Sequence, residues 1–475
     1  MLFDELIKFE NNEKLLNFSF KQSNTLIWPF VRVELFFKII EKEVHTEFVS
    51  PPLNLEMAKK MKFRDKIDYL VKLLLYNPFF ISKQFDILII GKNGTILKDG
   101  KWLNKVNDYF GLEYEEQTLF LDLSNWFKFN FPRYPKYVKC FDAIKVKSTI
   151  QNILFGNVNS EDKKEIENFI NFLKKELPVK LDENFYKALQ KKLLFTSSEL
   201  KYFERGCKKK FLKIKPKILI LQDAHYGGYG LISKWAKDLG IKVAEFQHGV
   251  IVEAHPAYNF GSAVFHSVEC KKHLPDYLLT YGQFWNDHMR TPAVKIVVGN
   301  PHLSLALEKF KNEKRQNGNK KILIISEGTI NSPLVQLTKE LEKKLQNEKY
   351  EIIYRIHPEE IASEEGYKEL YTCKNVTISK TGDIYDLFFN SDYVVGSAST
   401  ALFEANAFHK IIFIYDTFIS RLYIPSELGI WFKDADELYY KIKNITEVNS
   451  KENMDYYWAD NWSQNYKKFI DSVLL

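Results

Sequence analysis

Eleven short runs of β-branched and other apolar residues, most of them closed by glycine or a small polar residue, set the tightest limit on how this chain folds. They are FDILIIG (85–91), TLFLDL (118–123), KILILQD (217–223), KVAEFQHG (242–249), PDYLLTYG (275–282) and KIVVGNP (295–301), followed by KILIISEG (321–328), YEIIYRIHP (350–358), NVTIS (375–379), DYVVGS (392–397) and KIIFIYD (410–416). Apolar runs without polar alternation read as strands covered on both faces, the signature of parallel sheets. Helix-patterned stretches separate them, which argues for repeated βαβ units. The rhythm breaks once, over the charged and turn-rich residues 303–320. The expected fold class is therefore α/β, with two Rossmann-like doubly wound lobes and a cleft between them. A helical preamble spans 1–80, the first lobe 81–302, the linker 303–320, the second lobe 321–455, and a C-terminal helix 456–475.

Composition removes several alternatives. A net charge of +7 over 475 residues is mild and lacks the concentrated basic stripe of a nucleic-acid binder. It suits an acidic substrate or an anionic membrane surface. Cys140, Cys207, Cys270 and Cys373 are far apart, so neither a disulfide framework nor a zinc site is expected, which fits a reducing cytoplasm. The charged start MLFDELIKFENNEK has no apolar core, so no signal peptide is expected. The longest apolar stretch, LIWPFVRVELFFKII, is interrupted by Pro29, Arg32 and Glu34 and is not expected to span a bilayer. The Lys- and aromatic-rich residues 56–84 are a candidate for peripheral contact with the inner face of the cytoplasmic membrane.

In open α/β sheets ligands bind outside the carboxyl ends of the strands, so the residues just after each run carry the functional argument. In the second lobe these are Ser326-Glu327-Gly328-Thr329, then His357-Pro358 with Arg355 two residues earlier, then Ser397-Ala398-Ser399-Thr400 leading to Glu404. Small hydroxyl residues and free backbone N–H groups opening a helix form an anion site. Plain N-capping is the ordinary alternative. His357 is read as closing a neighbouring strand, on the same strand face as Arg355. In the first lobe the post-strand residues are Asp223-Ala224-His225 and Gln247-His248-Gly249, followed by Glu253 and His255. Histidines beside acids suit general-base work on a hydroxyl. The spacing lacks a zinc pattern, so no metal is expected. Tyr226-Gly227-Gly228-Tyr229-Gly230 allows backbone to approach a ligand but is neither a dinucleotide nor a P-loop motif. Gly299-Asn300-Pro301 is a hinge candidate.

Together Phe246-Gln247-His248-Gly249, His255-Pro256, Tyr281-Gly282, Val298-Gly299-Asn300-Pro301, Arg355-Ile356-His357-Pro358 and Gly396-Ser397-Ala398-Ser399-Thr400 resemble bacterial GT-B glycosyltransferases of capsule and lipopolysaccharide assembly. The His-Pro and Ser-Ser/Thr elements are similar to those of sialyl-, polysialyl- and Kdo-transferases using CMP-sugars, and to teichoic-acid polymerases using CDP-glycerol. The resemblance implies a nucleotide-sugar donor whose phosphate is bound by His357, Ser397, Ser399 and Thr400 and whose ribose or sugar hydroxyl is held by Glu404; the post-strand positions add Ser326, Glu327, Gly328, Thr329, Arg355 and Pro358 as donor-binding candidates. The resemblance places His248 on the acceptor side of the cleft, while the residues after the first-lobe strands themselves offer His248, Asp223 and Glu253 as catalytic candidates and His225, Gln247 and His255 as acceptor-side candidates. The acceptor is expected to be a glycan or lipid-linked glycan, with no metal or other cofactor. Same-fold alternatives are a polyol-phosphate transferase, a nucleotide-sugar epimerase or hydrolase, and a non-catalytic glycan-assembly subunit.

Overall fold

The computed structural model describes residues 2–44, 62–125, 127–315, 318–326, 333–357, 360, 366–445 and 454–475. The first-lobe sheet has seven parallel strands: β1 (Ile87–Lys92), β2 (Thr118–Leu123), β3 (Val138–Cys140), β4 (Ile218–Leu221), β5 (Lys242–Phe246), β6 (Tyr277–Thr280) and β7 (Val294–Val297). They lie in the order β7-β6-β5-β4-β1-β2-β3. The second-lobe sheet has six: β8 (Lys320–Ile325), β9 (Tyr350–Arg355), β10 (Val376–Ser379), β11 (Tyr393–Gly396), β12 (Ile411–Tyr415) and β13 (Ile430–Phe432), in the order β10-β9-β8-β11-β12-β13. Both are the doubly wound Rossmann order, which reverses direction between its first and fourth strands. The two-lobed GT-B type expectation thus holds at the level of topology. Two small hairpins, Ser19–Phe20 with Thr25–Leu26 and Ile96–Lys98 with Lys101–Leu103, lie outside these sheets.

Alternation of side chains along each strand builds two cores per lobe. In the first lobe Ile87, Ile89, Ile218 and Ile220 face one layer, while Leu88, Ile90, Leu219 and Leu221 face the other. The second layer is completed by the N-terminal helices, which bury Trp28, Leu35 and Phe36 there. The preamble is therefore structurally part of the lobe. The opposite face is covered by the C-terminal helix Trp462–Leu474 through Tyr466, Phe469 and Ile470, so the chain end crosses back from the second lobe to the first. Two glycines admit that crossing. A Cβ on Gly282 would stand 2.4 Å from the Tyr457 carbonyl oxygen, and one on Gly299 (φ +94) 2.6 Å from that of Ala459.

Three sequence readings need correction. The segment 303–320 opens as helix: Pro301–Phe310 is capped by Asn300, and Phe310 stacks on Phe389 of the second lobe at 4.5 Å. His357 and Ser397 do not close neighbouring strands, because β8 runs between β9 and β11; strand spacing puts the two ends roughly 10 Å apart. Gly227 and Gly230 lie in the helix Gly227–Lys237 and serve packing, since a Cβ on Gly227 would stand 3.0 Å from the Phe30 carbonyl oxygen and one on Gly230 2.8 Å from that of His273.

Candidate functional site

In the first lobe the order reverses between β1 and β4, and β4 runs directly into Asp223. In the second it reverses between β8 and β11, which lead into Ser326 and Ser397. The two crevices meet. A Cβ added to Gly249, after β5, would stand 3.8 Å from the Thr400 hydroxyl oxygen. The His248-Gly249 turn and the Ser397–Thr400 turn, picked separately from the sequence, therefore face each other across the lobes.

On the first-lobe side His248 Nε2 lies 3.3 Å from Asp223 Oδ1, both part-buried. The other ring nitrogen, Nδ1, is buried and without a hydrogen-bond partner. Gln247 fixes this turn from below: its amide donates to the Gly249 carbonyl at 2.9 Å and accepts from the Tyr281 N–H at 2.9 Å. On the second-lobe side Ser399 is a true N-cap of the helix Thr400–Ala407, accepting from the Ala401 N–H at 3.2 Å. Ser397 differs. It is wholly buried and its hydroxyl has no hydrogen-bond partner, an arrangement that costs stability unless a ligand completes it.

Other candidates occupy supporting positions. His225 is buried against Glu245 Oε2, with Nε2 2.9 Å from the Thr291 hydroxyl, and Tyr258 donates to the same carboxylate at 2.9 Å. His255 is half-buried among Tyr226, Tyr258 and the second-lobe Tyr423. Burial, then the nearby His248, His225 and Arg32, pull its pKa down to about 3. His225 and Gln247, both buried, brace the site from within the lobe. Glu253 stands apart: it is largely exposed and faces His288 at 3.8 Å. Arg355 holds the loop after β10, donating to Ser379 Oγ at 3.0 Å and to the carbonyls of Thr381 and Gly382 at 2.5 and 2.7 Å. Ser326 gives its hydroxyl to the buried Glu360. His357 follows β9 on the face shared with Arg355 and opposite the buried Tyr354 and Ile356. Glu327, Gly328, Thr329 and Pro358 lie outside the described residues.

The sequence reading missed a second cluster on the same interlobe surface. Tyr109 reaches His302 Nδ1 at 3.2 Å, and His302 Nε2 lies 3.2 Å from Asp383. Burial pushes the Asp383 carboxyl up, but the hydrogen bond and charge of His302 outweigh it and leave the group below its usual range. Glu404 is buried near Lys105, His302 and Asp383, and burial raises its carboxyl; Tyr385 hydrogen-bonds it. Asp383 does sit in a post-strand loop, after β10, yet NVTIS is a weak strand signal and drew no attention to it. His302 opens the helix after the hinge-like Gly299-Asn300-Pro301, and nothing local marks it as facing Asp383.

No protein-family model matches the chain, and no curated protein matches its sequence. Among solved structures it is similar to a UDP-GlcNAc 2-epimerase of Methanocaldococcus jannaschii in complex with UDP-GlcNAc and UDP, at 12% identity, over 82% of this chain and 99% of that one, with a TM-score of 0.45. A putative UDP-N-acetylglucosamine 2-epimerase of Listeria monocytogenes gives 12% identity, 82% and 95% coverage and a TM-score of 0.46. A GtfA/B complex gives 11% identity, 58% and 61% coverage and 0.39. At these identities and scores the likenesses carry no argument about substrate or chemistry.

Proposed function

We propose that the chain is a nucleotide-sugar enzyme that grips the activating phosphate between Ser397–Thr400 and His357 and does its chemistry from the Asp223–His248 pair. The observation that carries this reading is the buried, unpartnered hydroxyl of Ser397, at the strand-to-helix turn of the second-lobe switch point and opposite Gly249. A phosphate oxygen there would accept from the Ser397 hydroxyl and from amides of the helix start. Glu404, buried, and Asp383, half-buried along the same interlobe surface, would bind hydroxyls of the ribose or sugar.

As a transferase, which the sequence resemblance favours, the enzyme moves the sugar to a glycan acceptor. The Asp223–His248 pair takes the proton from the acceptor hydroxyl. The acceptor oxygen bonds to the anomeric carbon as the bond to the phosphate oxygen breaks, and the departing negative charge stays on the phosphate. Hydrogen-bond donors already aimed at that charge supply the electrostatic term. The reading invokes no metal, and activity is expected to survive a chelator. A donor with a CMP-type leaving group fits the same grip.

A second reading rests on the His302–Asp383–Glu404 cluster, which provides further acid and base groups near the proposed sugar position. With those groups the site would isomerise or hydrolyse the nucleotide-sugar. Turnover of a nucleotide-sugar panel with and without glycan acceptors separates the two. Release of nucleotide only when acceptor is present supports transfer. Full-rate conversion without acceptor supports the second reading, and conversion of no nucleotide-sugar under either condition removes both.

A further inference from the structure

The helix Phe63–Leu75 is apolar on two faces. Tyr69 and Leu73 point inward, Tyr69 stacking on Phe129. The opposite stripe, Phe63, Ile67, Leu70 and Leu74, follows helical spacing and lies open, with Phe63 79% and Leu74 72% exposed. The following turn adds Phe80, 82% exposed. The neighbouring helix Asp142–Phe155, joined through a 3.0 Å hydrogen bond from Tyr69 to Asp142, exposes Ile153, Leu154 and Phe155. Scattered exposed apolar residues are ordinary, but a concentration of this kind marks a contact surface.

Charge identifies the partner. Phe79, next to Phe80, lies under two ammonium groups, those of Lys147 at 4.7 Å and Lys210 at 4.5 Å. Burial, then the nearby Lys213, Lys209 and Lys147, hold the pKa of Lys210 down to about 8. Three exposed lysines, Lys147, Lys209 and Lys213, thus surround the buried Lys210 at the edge of the open apolar face. A two-fold contact with a second copy would bring this cluster toward its own image, whereas an anionic bilayer answers the apolar stripe and the cations together. We propose that this face docks on the surface of an anionic lipid bilayer, with the apolar stripe entering the headgroup–acyl boundary and the exposed Lys147, Lys209 and Lys213 lying over the headgroups. The proposal is independent of which reaction the cleft performs. No described helix is long and apolar enough to cross a membrane, so the contact is peripheral.

The test is co-sedimentation of the full chain with vesicles of phosphatidylglycerol mixed with phosphatidylcholine, and with phosphatidylcholine alone. Binding is expected only to the mixed vesicles. It should fall on the order of ten-fold in about 1 M salt, where the screening length shrinks to about 3 Å. A Leu70→Ser, Leu74→Ser variant and a Lys209→Glu, Lys213→Glu variant should each lose binding. All four side chains are exposed, so the melting temperature serves as the control for intact folding. Three results overturn the proposal: no sedimentation with mixed vesicles, equal binding to both vesicle types, or full binding by the leucine variant. A dimer dissociated by the same substitutions, in place of vesicle binding, overturns it in favour of a second copy.

Discussion

Ser397→Ala should make the ligand-free protein more stable and a worse binder. The Ser397 hydroxyl is buried without a partner, and such a group costs about 1–3 kcal/mol. Alanine removes the polar atom and little volume, so the variant should gain about 1–2 kcal/mol once a small packing loss is subtracted. For a lobe of this size that raises the melting temperature by roughly 2–8 °C. With nucleotide present the order reverses. A hydrogen bond to a charged group contributes about 1.5–3 kcal/mol, so the variant should bind its best nucleotide roughly ten- to a hundred-fold more weakly. Because a ligand stabilises in proportion to its saturation of the native state, the ligand-induced shift should shrink accordingly. Differential scanning fluorimetry against CMP, CDP, UDP, GDP and dTDP reads both effects on one plate. A variant that melts lower without ligand, or that keeps the full shift with it, would refute the idea that this hydroxyl is held ready for a phosphate.

Further outcomes follow from other contacts. His248→Ala should lose at least two orders of magnitude in kcat with its melting curve unchanged, the range expected for removal of a general base; an undiminished rate would remove His248 from the reaction. Arg32→Met should destabilise by about 3–5 kcal/mol, because it strands the buried Glu10 carboxylate and the carbonyls of Pro256 and Asn259; urea unfolding measures it. Burial lowers the pKa of both His255 and His273 to about 3. Each folded value lies below the unfolded one, so their stability is complete above about pH 6.5 and is lost as pH falls toward 3, at about 1.4 kcal/mol per pH unit for each. Melting temperatures should therefore drop from neutral pH to pH 5, and His255→Gln with His273→Gln should flatten that slope.

Much of the fold was written locally. Runs such as KILIISEG and DYVVGS carry strand length, burial and termination in one stretch, so eleven of the thirteen main strands and both lobes were readable. Val138–Cys140 and Ile430–Phe432 are too short to show a pattern. Strand order was not readable, because neighbours in a parallel sheet are decided by crossovers of dozens of residues; that is why His357 and Ser397 were placed side by side with β8 in fact between them. Candidate positions were legible where polar residues follow a strong strand, as at Asp223, His248 and Ser397. The site was illegible where function depends on burial. His225 and His255 look as reactive as His248 in the sequence, and only the packing of Tyr226, Tyr258 and Glu245 separates them. The His302–Asp383 contact joins residues of different lobes, and no local pattern encodes such a meeting.

The central claim is that an activating phosphate sits at the second-lobe switch point, facing His248. A crystal structure with the nucleotide that gives the largest thermal shift tests it directly. The account predicts a phosphate oxygen within hydrogen-bond distance of Ser397 Oγ and of the amides opening the helix Thr400–Ala407, with His357 on the same phosphoryl group or the next. A nucleotide bound elsewhere, with Ser397 still buried and without a partner, would contradict it.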